Sequence, residues 1–239
     1  MDIKTTVTPS LHPSNIEAIE GYSDDTKGYV NSALEAMSVA YEGLGKIHEA
    51  KVAAAKNQAW NENQQVLIVA EFAEKHQVAI TRKFDAALSS LTKGIEAMEA
   101  TLNDPIKANA ERSSIASEIR AHVKNMTTDE RLQFLSHAHE TGDIESLRAV
   151  LGAPGFLSGI SENERQVRTR MLHEKQSPET SSRLKVMRAA LDLLERRSGL
   201  VLTEVEKAVG GSWSKVQHLR ATQGQAEKAL SRRFVCMSH

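Results

Sequence analysis

Cysteine, proline, glycine and aromatic residues are all scarce in this 239-residue chain, with one, five, thirteen and 4% respectively, and each scarcity excludes something. Cys236 alone cannot close an intrachain disulfide, so a disulfide scaffold is excluded and a reducing compartment is expected. A core with few aromatics must be built from Leu, Ile, Val, Met and Ala, which let helices pack closely along their lengths. Few Gly and Pro leave few turns, and no alternating β-branched run is long enough for a sheet. The longest apolar run, Val66 to Ala70, stops at Glu71. It falls far short of the roughly 20 residues that cross a bilayer. Residues 1–14 are polar and hold no apolar signal core. The expectation is an all-α protein of an aqueous, intracellular compartment, with no membrane partner.

The net charge of −1 conceals an asymmetry. Residues 1–160 carry 15 Lys+Arg against 22 Asp+Glu, and residues 161–239 carry 15 against 9. A chain divided this way can pair head to tail with its neighbours or offer its basic end to an acidic partner.

Hydrophobic spacing organises the chain into three parts. Residues 1–24, with Pro9, Pro13 and Gly21, read as an extended N-terminal arm with a short turn of helix around Ile16 to Ile19, either loose or laid on a neighbouring subunit or partner. Residues 25–103 hold two long helices. The first carries Val30, Ala33, Met37, Ala40, Leu44, Ile47 and Ala54 at the 3–4 spacing of a coiled-coil seam. The second carries Ala70, Ala73, Gln77, Ile80, Phe84, Leu88, Leu91, Ile95, Met98 and Leu102. Between them, the polar stretch from Trp60 to Gln65 is either a hairpin turn or a stutter in one rod. Residues 104–239 read as a bundle of shorter helices with a basic C-terminal helix. Asp104-Pro105 opens a helix to about 125. Thr127 with Glu130 and Ser161 with Glu164 form capping boxes. Gly142 and the 152–155 loop stop helices, Pro178 starts one, and Gly199 is expected to break it. The fold class expected is a long helical hairpin, or coiled-coil rods, followed by a bundle of shorter helices.

Nothing in the chain has the spacing of a catalytic, cofactor or metal site. His137 and His139 are two apart and point about 200° from each other on a helix, so they cannot share an ion. The glycine-rich loop Gly152 to Gly159 lacks the Lys-Ser/Thr and the preceding strand of a phosphate loop, and it lacks a nucleophile elbow. It reads as a structured connection that Phe156 and Leu157 anchor into the core. Residues 135–151 resemble the helix pair of an ankyrin repeat, but no 33-residue period follows. Residues 203–219 resemble a helix-turn-helix, with Gly210-Gly211 as the turn and Lys215, Gln217 and Arg220 pointing outward. Arg232 and Arg233 follow in position to meet phosphates. Two positions depart from that pattern. Glu206 stands where a small residue is needed at the helix crossing, and Gly211 replaces an apolar turn residue.

Two segments carry a wider resemblance. The first is Gly142-Asp-Ile-Glu-Ser-Leu-Arg-Ala-Val-Leu-Gly-Ala-Pro-Gly-Phe-Leu-Ser-Gly159. The second is Ala190-Leu-Asp-Leu-Leu-Glu-Arg-Arg197, continuing into Glu204-Val-Glu-Lys-Ala-Val209. Through these, residues 129–230 resemble uncharacterised all-helical proteins encoded by tailed phages and prophages. The resemblance implies no catalytic or binding residue. It implies a place in the host cytoplasm and in the virion. The function expected is a non-enzymatic, oligomeric virion component of the connector, internal or scaffolding type. Its packing or oligomer seam is Val30, Met37, Leu44, Ile47, Ile80, Phe84, Leu88, Leu91, Ile95 and Met98. Its partners would be copies of itself or other virion proteins, with no cofactor and no small-molecule substrate. The alternative is a DNA-binding regulator or packaging protein that uses residues 203–219.

Overall fold

The structure, a computed structural model, describes residues 6–106 and 113–235, with side chains for all of these but 113 and 231–235. The described residues hold nine α-helices and no strand. By their contacts the residues divide into two compact units, 1–93 with 186–239, and 94–185. The units differ from the three parts read from hydrophobic spacing, because the C-terminal segment belongs with the first long helices rather than with the short ones.

The first unit is built around a hairpin. Helix α2 (Lys27–Ala55) and helix α3 (Glu62–Leu102) are 29 and 41 residues long, or roughly 44 and 62 Å at 1.5 Å per residue. Residues 56–61 turn the chain between them, so the polar stretch is a hairpin turn rather than a stutter. Local hydrogen bonds explain why it turns here. The Asn57 side chain accepts from the Ala59 amide at 3.0 Å, and the Asn61 side chain accepts from the Gln64 amide at 2.9 Å. Gln64 Oε1 in turn accepts from the Asn61 amide at 3.0 Å, which makes a reciprocal cap for α3. The two helices run antiparallel and close. A Cβ on Gly43 would lie 3.2 Å from Ile80 Cδ1, and Lys83 bonds Glu35 at 3.3 Å.

The expected seam lies inside this unit except for Ile95 and Met98, which belong to the second. Val30, Met37, Leu44, Ile47, Ile80 and Leu91 are at most 1% exposed, Phe84 is 4% exposed, and Leu88 is half-buried. Each fully buried Leu or Ile contributes roughly 1.5–3 kcal/mol. Residues 6–24 are not an extended arm. Pro9–Leu11 form a 3-10 turn, α1 (Ser14–Glu17) a short helix, and both pack on α2. Val7, Leu11 and Ile16 are buried, and the His12 ring stands edge-on to Tyr41 with centroids 4.8 Å apart. Three apolar residues at irregular spacing leave no periodic signal, which is why the segment reads as loose from sequence.

Helix α8 (Pro178–Val209) and helix α9 (Trp213–Val235) complete the unit. Gly199 does not break α8. It is exposed, a Cβ there would meet nothing within 4 Å, and a single exposed glycine costs a long helix only about 1 kcal/mol. The break comes at Gly210, whose φ of +86° is the left-handed conformation that ends helices.

The second unit contains α4 (Ser113–Asn125), α5 (Thr128–Thr141), α6 (Ile144–Leu151) and α7 (Glu162–Gln176). The helix expected from residue 105 lies partly outside the described residues. Of the two expected capping boxes, that at Thr127 is complete: Thr127 Oγ1 accepts from the Glu130 amide at 3.4 Å, and Glu130 accepts from the Thr127 amide at 2.8 Å. At Ser161 only the hydroxyl accepts, from the Glu164 amide at 3.1 Å, because the Glu164 carboxylate is turned to Arg168. Gly142 ends α5 at φ +76°, Asp143 caps α6, and Ser161 caps α7. Val123, Leu135, Leu147, Val150, Leu151, Ile160 and Leu172 form one core. From the part of α3 in this unit, Ile95 is 9% exposed and Met98 half-buried.

Cationic side chains bind the backbone carbonyls left open at the helix C-termini here. Arg131 donates to the carbonyls of Val123 at 3.2 Å, Met126 at 2.9 Å and Lys124 at 3.5 Å at the end of α4, and also to that of Gly159. Lys175 donates to the carbonyls of His139 and Glu140 at the end of α5, and Arg165 to that of Leu151 at the end of α6. Each places positive charge at the negative end of a helix dipole.

Candidate functional site

The α8–α9 corner is where the sequence suggested DNA reading. Here α8 runs for 32 residues, far longer than the first helix of the reading motif. Glu206 acts locally, since its Oε1 accepts from the Trp213 amide at 2.9 Å and so caps α9. Ser212 Oγ accepts from the Lys215 amide at 3.3 Å. Val205, Val209 and Val216 are buried and hold the corner together.

Among the described residues, the expected contact residues do not form one surface. Arg220 makes a two-pronged ion pair with Glu74 of α3, at 2.7 and 3.0 Å, which raises the guanidinium pKa through that hydrogen bond. Lys215 is exposed and lines a cavity of about 240 Å³ with Lys51, Glu62 and Gln65. Gln217 is exposed and lies two residues from Lys215, on another side of the helix. The side chains of Arg232 and Arg233 lie outside the described residues.

Beside this corner is a larger cleft of about 590 Å³, lined by Trp213 of α9 and by Glu74, Gln77, Val78, Thr81 and Arg82 of α3. Val78 is 50% exposed at its wall. Trp213 Nε1 is buried with no acceptor. The sequence pattern put Gln77 in the apolar seam, whereas it is half-buried and faces this cleft. The available signal was the set of apolar residues out of phase with the seam: Ile68, Phe72 and Val78 are all exposed.

In the second unit, the loop after α6 departs most from expectation. Phe156 and Leu157 do not anchor it in the core. They are 70% and 38% exposed, on a 3-10 turn at Gly155–Leu157. The anchors are Leu151 and Ile160, both buried. Gly155 packs so tightly that a Cβ there would lie 2.5 Å from the Ile160 carbonyl oxygen. The Leu157 amide bonds the Pro154 carbonyl, and the Ser158 and Ile160 amides bond that of Gly155, all at 3.0 Å. Gly159 has a φ of +72°, and its carbonyl is held by Arg131. The turn is thus fixed on both sides while its aromatic ring points into solvent.

Among the described residues, no group of three or more His, Cys, Asp and Glu is placed to hold a metal ion. His48, His76 and His139 each have a lowered pKa, chiefly because burial disfavours the cation. Lys51 adds to this at His48 against an opposing pull from Glu204, Lys46 at His76, and Arg168 and Lys175 at His139. A further cavity of about 420 Å³ is lined by Asn103, Pro105, Arg165, Gln166 and Thr169. Arg165 there is already bonded to Glu162 and to the Leu151 carbonyl. No helix of the described residues is long and apolar enough to cross a membrane. No family model matches the chain, and neither does a curated protein or a solved structure.

Proposed function

We propose that the protein is a non-enzymatic, self-associating assembly component, of the connector, internal or scaffolding type found in tailed-phage particles. Phe156 carries the reading: the most exposed large apolar side chain among the described residues stands on a turn that the fold holds rigid. An exposed aromatic on a pre-organised base is the usual form of a protein-docking anchor, because little freedom is lost when it binds. The turn lies inside the segment 142–159 that resembles phage proteins. The long seams act as internal packing in this reading, so association belongs to other surfaces.

DNA reading has less support. Arg220 is engaged with Glu74, Glu206 caps α9, and Lys215 and Gln217 diverge. Light scattering of the full chain at tens of micromolar tests the choice when run beside a DNA titration. The expected result is a mass above the 26.3 kDa of one chain, with no sequence-selective DNA binding. Nanomolar, selective binding that Lys215→Ala abolishes in a folded protein would reverse the assignment.

A further inference from the structure

We infer that the second unit holds an acid-sensitive latch, in which protonation of His139 drives α7 away from the end of α5. The inference stands apart from the assembly reading. His139 lies in the last turn of α5, is 8% exposed, and keeps its ring Nε2 buried with no hydrogen-bond partner. A neutral imidazole tolerates this place. An imidazolium must donate from both ring nitrogens, and the buried one has no acceptor.

The charges around the ring oppose protonation further. From α7, Arg168 and Lys175 both act on it as like charges. Arg168 is buried and bonded to Glu164 at 3.1 Å, and Lys175 donates to the carbonyl of His139 itself. The carboxylates of the other neighbouring helices do not offset them. Asp143 accepts from the Ser146 amide to cap α6, while Glu145 of α6, Glu140 of α5 and Glu118 of α4 are exposed. A protonated His139 is thus a third cation in a contact that already holds two, and outward movement of α7 relieves it. Leu172 of α7 shares a core with Leu135 and Ala138 of α5, so the movement uncovers apolar surface. Burial, then Arg168 and Lys175, lowers the His139 pKa in the closed form. The latch therefore opens as pH falls below the ordinary imidazole value of about 6.5 and closes as pH returns.

Hydrogen exchange of the full chain, read by mass spectrometry at pH 7.5 and 5.5 and corrected for the intrinsic effect of pH, tests the latch. Protection of the α7 amides relative to those of α2 should fall about tenfold at the lower pH. His139→Gln keeps a polar side chain without the charge and should hold α7 closed at both. Where that variant lacks the wild-type helix content, Lys175→Gln provides the same test from an exposed position. It leaves His139 in place and removes one opposing cation, so the fall between the two pH values should be smaller. Three results would overturn the latch: equal relative protection of α7 at the two pH values, a loss in step with α2, or an undiminished fall in either folded variant.

Discussion

Arg131 shows how single residues shape the second unit. One guanidinium holds three carbonyls at the end of α4 and that of Gly159, so it fixes the loop that presents Phe156. Replacing it with Met should cost about 1.5–3 kcal/mol for the lost charge-assisted bonds, with Lys restoring a part. Thermal unfolding measures this, and a Met variant that melts like wild type would mean the clasp holds nothing. Three buried or half-buried histidines give a second expectation. His48, His76 and His139 titrate below the ordinary imidazole value of about 6.5 when folded. As pH falls through that value, the unfolded chain takes up protons that the folded chain refuses. Stability should therefore fall below about pH 6.5 and rise again with pH. Denaturant unfolding at pH 7.5 and 5.5 should show the loss, and His139→Gln should make it smaller; equal losses in variant and wild type would remove His139 from the cause.

At the scale of the element, the hairpin sets the expectations. Leu44 is 1% exposed and Val52 58% exposed on the same helix. Leu44→Ala should cost about 2–5 kcal/mol, and Val52→Ala less than about 0.5. Helix α9 should be uneven. Val216 is buried, while residues 221–230 are exposed apart from a half-buried Gly224. A short helical stretch with no packed face is marginal by itself, so amides of 221–230 should exchange with solvent well before those near Val216. Uniform protection along α9 would contradict this. The seam and the caps at Thr127 and Ser161 were legible in the sequence, because a 3–4 repeat and an N-cap are local patterns. What the seam packs against was not legible, since a stripe looks the same whether its partner is the same chain or another. Phe156 was misread for a related reason. Loop burial depends on which neighbours the backbone approaches, here Ile160 and Arg131, and no local pattern records that. The cations on the ends of α5 and α6 were missed because Lys175 and Arg165 reach carbonyls far from them in sequence, and Arg131 because its reach back to α4 depends on the turn between α4 and α5.

At the scale of the molecule, folding removes the charge division along the chain. The basic C-terminal segment shares a unit with the acidic hairpin, as the Arg220–Glu74 pair illustrates. Each unit is left near neutral, with 18 cationic against 17 anionic residues in one and 12 against 14 in the other. Association between copies should then be driven by apolar burial rather than by charge, and so respond little to salt. Sedimentation equilibrium of the full chain at low and high salt tests the assembly reading most directly. It should give a mass above 26.3 kDa that rises with concentration and is held at both salts. A single-chain mass across the whole concentration range would contradict self-association, and an assembly that dissolves at high salt would contradict association by apolar burial.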